Sequence, residues 1–273
     1  LTGRRSGDAG RTDGYDSRGG AVGDVKAKII SASGILAVCI LLLSSLVTGI
    51  AYRGRAGQRF SPFNHFISEL GQPGVSRLSA FFNVSMMTCG VLAVVFMAGI
   101  ALLLKRRAVY LAASTGILAG IAALLVGAFP INHGSVHTGV SIFFFYASLT
   151  SVIIFAVIIA ADRGRLMPRW LLIPGFASFA LFSLLLLVIR ASAAPTAILD
   201  PNIVSRPDIW AAAVLEWLSV LSLAAWVLSF SIFVLRRCRN KEEARRFELS
   251  MRADQGGQEV CLYENDSERR QEK

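Results

Sequence analysis

Ile29–Tyr52 reads IISASGILAVCILLLSSLVTGIAY, a run without a single charged side chain. A helix needs about 20 apolar residues to cross about 30 Å of hydrocarbon. A soluble chain breaks such runs with the polar face of its surface helices. This stretch therefore sets the class of the protein as membrane-spanning. Five more runs follow at roughly Leu78–Leu104, Ala108–Phe129, Gly139–Ala161, Trp170–Ile189 and Trp210–Leu235. The expectation is an all-α, polytopic fold, a six-transmembrane-helix bundle over residues 28–236. A disordered N-terminal tail (1–27) and a charged C-terminal tail (237–273) flank it.

Composition agrees, with 54% hydrophobic and 17% charged residues. The formal charge of +10 would suggest nucleic acid in a soluble protein. Here the basic residues sit where helices leave the bilayer, in clusters too short for a nucleic-acid surface. One set of connections and the tails carry Lys26, Lys28, Lys105, Arg106, Arg107, Arg163, Arg165, Arg169, Arg236, Arg237, Arg239, Lys241, Arg245 and Arg246, against Arg53, Arg55, Arg59, Arg77, Arg190 and Arg206 on the other side. Fourteen against six places both termini in the cytoplasm of a cell-membrane protein. The arginines of the first outer loop run against that bias and suit lipid phosphates. Cys39 and Cys89 lie in apolar helices and Cys238 and Cys261 in the tail, so no outer disulfide is expected. The first apolar run is too long for a signal sequence and is read as a retained helix.

The outer loop, 53–77, carries local signals. Ser61–Pro62 suits a helix start and Gly71 with Pro73 a stop. The reading is a short interfacial helix over Pro62–Leu70, its aromatic side on lipid or bundle, with His65 and Glu69 sharing the other side. Ser76 is expected to cap helix two, and Asn83, Ser85 and Thr88 to point inward. Gly116 and Gly120 in helix three form a small-xxx-small pattern suited to close helix contact, within the bundle or in a helix-mediated homo-oligomer. Pro130 ends helix three; Ser135 would cap helix four, with His137 in its first turn and Ser141 one turn deeper.

Glu216 lies about 10–12 Å into helix six, where an acid is costly unless it meets a cavity or a partner. It is expected to be protonated or hydrogen-bonded, in contact with Asn83 or Ser141. The short segments Asn64-His65-Phe66-Ile67-Ser68-Glu69-Leu70-Gly71, Phe82-Asn83, Gly127-Ala128-Phe129-Pro130 and His137 carry a resemblance. Together they resemble a prokaryotic six-helix integral membrane family of unknown function, across residues 29–235. Glu216 stands where that family has an acid or amide, followed here by Trp217 instead of arginine. The family is distantly similar to the Frag/DRAM/Sfk membrane proteins. That likeness implies the fold and a role in lipid handling, and no particular reaction. The His133-x-x-x-His137 spacing is also similar to that of intramembrane hydrolases such as the alkaline ceramidases, which have seven helices.

The leading expectation is a non-catalytic protein that binds or organises membrane lipids. It would use an outward-facing polar pocket lined by His65, Ser68, Glu69, Asn83, His137, Ser141 and Glu216. It calls for no cofactor. The alternative is a metal-dependent lipid hydrolase, with His65, His133 and His137 on zinc and Glu69 or Glu216 as base. A small-solute transporter is the third reading.

Overall fold

A computed structural model of the chain describes residues 13–162, 166–191 and 206–271. Arg163, Arg165, Asp200 and the first twelve residues of the N-terminal tail lie outside these. The described helices are α1 (Asp13–Ala51), α2 (Ser79–Leu104), α3 (Arg107–Ala128), α4 (Ser135–Ala161), α5 (Leu172–Ala191) and α6 (Ala211–Gln271). Each contains a span long and apolar enough to cross a membrane. The protein is an all-α, six-helix polytopic membrane protein.

The apolar core is the compact unit Ile29–Ile232. The connection between α2 and α3 is the tightest of those described. Between α2 and α3 only Lys105 and Arg106 intervene, and Lys105 takes a left-handed conformation (φ 48°) with its N–H on Ala101 O. Helices α2 and α3 approach through glycine: a Cβ on Gly90 would lie 2.6 Å from Gly120 O. Both glycines of the expected small-residue pair face α2, Gly120 against Gly90 and Gly116 against Met97. An aromatic cluster joins α4 to α6, with Phe155, Trp226 and Phe230 ring centroids 4.7–5.5 Å apart. Phe145 and Phe182 continue that packing between α4 and α5.

Hydroxyls within the spans mostly bond backward to their own helix, as Ser33 does to Ile30 O and Ser231 to Val227 O. In hydrocarbon this satisfies the hydroxyl without water. Polar bonds that cross between the spans include Ser151 Oγ to Ala112 O at 2.9 Å and Cys89 Sγ to Ala37 O at 3.3 Å. Thr88 differs from its expected inward aim: it is exposed and bonds Val84 O on its own helix. Ser85 is buried.

The described parts of both tails continue the end helices. Helix α1 already runs from Asp13 and α6 continues to Gln271. Residues up to Lys28 and from Phe233 form a second compact unit, in which Lys28 Nζ meets Glu242 Oε1 at 2.7 Å.

The helix starts differ in detail as well. Gly134, at φ 52°, occupies the position before α4, and Ser135 is its first residue and not its cap. A positive φ there suits glycine, which has no Cβ to clash. Helix α2 starts at Ser79, and the Ser76 hydroxyl bonds nothing in the protein.

Candidate functional site: the loop plug and the cavity beneath it

The long connection between α1 and α2 folds into the end of the bundle, here called the loop end. Its short helix is a 3₁₀ turn, Ile67–Gly71, with all five residues buried. The expected surface helix over Pro62–Leu70 is therefore shorter and sits inside. Phe66, Ile67 and Leu70 find apolar partners on the bundle: Phe66 meets Trp210, and Ile67 and Leu70 pack with Tyr52 and Phe82. Lying in the interface would have left these groups half wetted.

Burying a helix start requires acceptors for its free N–H groups. Two carboxylates provide them. Glu69 reaches back so that Oε1 accepts the Phe66 N–H at 2.9 Å, and Glu216 Oε2 accepts the Ile67 N–H at 2.8 Å. Glu69 Oε1 also accepts from Arg206 Nη1 at 2.7 Å, in a pair whose side chains are 2% and 11% exposed. Arg206 donates as well to Asn64 O at 3.1 Å, and its guanidinium carbon stands 6.0 Å from the centre of the Trp210 ring. Trp217 Nε1 donates to His65 O, and the Trp210 N–H to Phe63 O. The start of α6 thus grips the plug at successive backbone groups.

The partners expected for Glu216 are engaged elsewhere. Asn83 Nδ2 donates to Gly71 O at 2.9 Å, holding the end of the 3₁₀ turn to α2. Ser141 Oγ lies 3.4 Å from His137 Nε2, and His137 Nδ1 lies 2.8 Å from Phe129 O. A carbonyl can only accept, so His137 carries its proton on Nδ1 and presents Nε2 to Ser141 as acceptor. The plug intervenes between Glu216 and Asn83, which is why the expected contact does not form.

His65 is buried, with Nδ1 2.7 Å from Asn64 Oδ1 and its ring edge-on to Tyr52. Burial lowers its pKa, against the Glu69 charge, so it stays neutral. Burial, with Glu69 beside it, pushes the Tyr52 hydroxyl up to about 12. His133 is exposed, its Nδ1 3.2 Å from Pro130 O. The three histidines proposed as zinc ligands are therefore engaged in three separate settings. Among the described residues no three His, Cys, Asp or Glu side chains gather as a metal-binding group. Glu69 and Glu216, the candidate bases, both hold backbone N–H groups.

Beneath the plug lies a cavity of about 140 Å³ between α1, α2, α3, α4 and α6. Its walls are apolar, with Val38 and Leu41 on α1, Met86 on α2, Phe144 on α4, and Val220 and Leu223 on α6. Ser68, Ser141 and Glu216 stand at its loop end. From Glu216 to Val227, the deepest lining residue of α6, is about 16 Å of helix, half of an apolar layer of about 30 Å. Of the seven expected pocket residues, these three line the cavity. His65, Glu69, Asn83 and His137 instead build its lid and rim.

From sequence, Arg206 counts among the outer basic residues and Trp217 only as the residue after Glu216, and neither these nor Trp210 is assigned to the plug. Arg206 and Trp210 lie just before α6 and Trp217 in its first turns, beside a glutamate at helix depth, the one local sign that this helix start has polar work to do. No curated protein and no solved structure matches the chain. A family match does span residues 32–232, from α1 through to α6. A plugged six-helix bundle matched along nearly its whole membrane core belongs to the family described as Protein of unknown function (DUF998).

Proposed function

We propose that this membrane protein binds the hydrocarbon chain of a lipid or similar single-chain amphiphile in the cavity under the plug, with a polar end group at Ser68, Ser141 and Glu216. The cavity is the observation that carries this. It has an apolar body and a few hydroxyl and carboxyl groups confined to one end, the division found in amphiphile sites. An apolar cavity of similar size in a protein core stays dry and takes a small hydrocarbon. The distant likeness to the Frag/DRAM/Sfk proteins points the same way. The termini are placed in the cytoplasm by the basic-residue bias, so the plug faces outward.

The test fills the cavity. Native mass spectrometry of detergent-washed protein should show a co-purified amphiphile that falls several-fold in Ala224→Leu and in Ala93→Leu, each checked for an unchanged unfolding midpoint. Equal lipid in the wild type and in both folded variants would sink the reading.

A further inference from the structure

On the other face of α1 and α6 lies a second, larger recess, and it is built differently. It is a groove of about 870 Å³ open along the bundle side. Leu42, Leu46 and Ile50 on α1 and Leu218 and Leu221 on α6 form its walls, all exposed toward the lipid. Phe60, Pro62 and Phe63 of the plug overhang its loop end. Arg53 and Arg59 stand at that same end, and among the described residues no acidic side chain lines the groove. From Leu42 to Arg53 is about 16 Å of rise, the depth of one leaflet of a layer about 30 Å thick.

A bare lipid-facing helix surface would take any acyl chain. Two features make this groove selective. Arg53 is pinned by its Nη1–H bond to Tyr52 O at 2.8 Å, which leaves its other donors for a ligand. Among the described residues neither Arg53 nor Arg59 meets a carboxylate. We infer that the groove between α1 and α6 seats one anionic phospholipid from the leaflet at the loop end. Its phosphodiester lies against Arg53 and Arg59, and one acyl chain lies along Leu42, Leu46 and Leu218. Planar guanidinium donors match phosphate oxygens, and a hydrocarbon groove of one leaflet's depth matches the chain below. The site shares no lining residue with the cavity under the plug.

The full chain is placed in nanodiscs of equal phosphatidylglycerol and phosphatidylcholine with identical acyl chains. The lipid it retains on release is read by native mass spectrometry. Phosphatidylglycerol should be enriched roughly thirtyfold, the scale expected of two basic residues at a lipid surface. Arg53→Gln/Arg59→Gln should bring the two lipids to parity, whereas Arg55→Gln, which removes one charge from the same loop but off the groove, should change little. Leu46→Trp, which fills the groove, should release the bound lipid. Ala224→Leu, which fills the inner cavity, should leave the preference intact, so that this inference and the cavity reading fail separately. Equal retention of both lipids by the wild type would overturn the inference. So would a loss in Arg55→Gln as large as in the double variant, or an unchanged preference in Leu46→Trp.

Discussion

At the residue scale, Glu216 shows how an acid survives inside an apolar helix. Its carboxylate is the acceptor for the Ile67 N–H, a donor that the 3₁₀ turn cannot satisfy itself. Removing an acceptor from a buried N–H costs about 1–3 kcal/mol. Glu216→Gln keeps a carbonyl oxygen at the same place and should unfold in detergent close to the wild type. Glu216→Leu should lose stability by roughly that 1–3 kcal/mol. Equal stability of the leucine variant would show that the plug does not rest on this bond. His137 illustrates the opposite outcome. Its position one turn above Ser141 was legible from spacing, but its hydrogen bond to Phe129 O was not.

At the element scale, the loop plug is held by polar bonds more than by its own helical propensity. A 3₁₀ run of five residues is already long for that geometry, whose hydrogen bonds are poorly aligned. The Glu69–Arg206 pair joins it to the start of α6, and both side chains are withdrawn from water. Breaking a buried pair leaves an uncompensated charge, at a cost of about 3–5 kcal/mol. Glu69→Ala and Arg206→Ala should each destabilise strongly, and the double variant by clearly less than their sum. A double-mutant cycle on unfolding in mixed micelles measures the coupling, expected at about 1–3 kcal/mol. Additive losses would mean that each group acts through other contacts, Glu69 through the Phe66 N–H and Arg206 through Asn64 O.

At the scale of the whole molecule, the six spans and the basic bias between their ends make one topological prediction. In a background without native cysteines, Ala56→Cys and Gly134→Cys should react with an impermeant maleimide from outside intact cells. Both positions are exposed in the loops of the plug end. Labelling only after the membrane is opened from the cytoplasmic side would invert the bundle and place the plug, the cavity mouth and the groove inside.

The sequence by itself determined the number of spans, their approximate limits and the membrane as solvent. Those follow from the length of uncharged runs such as Ile29–Tyr52, because a backbone in hydrocarbon must close its own hydrogen bonds as helix. It also singled out Glu216, because a carboxylate at helix depth is costly without a partner. Which partner it has was decided by tertiary structure alone. Ile67 lies 149 positions away, and a backbone N–H carries no side-chain signature. The same reason hid Arg206 and Trp217, which act on Glu69 Oε1, Asn64 O and His65 O across the bundle end. Only packing could show that Ser68, Ser141 and Glu216 close one end of an apolar cavity while His65, Glu69, Asn83 and His137 hold up its lid, since both sets are polar residues near the same membrane surface.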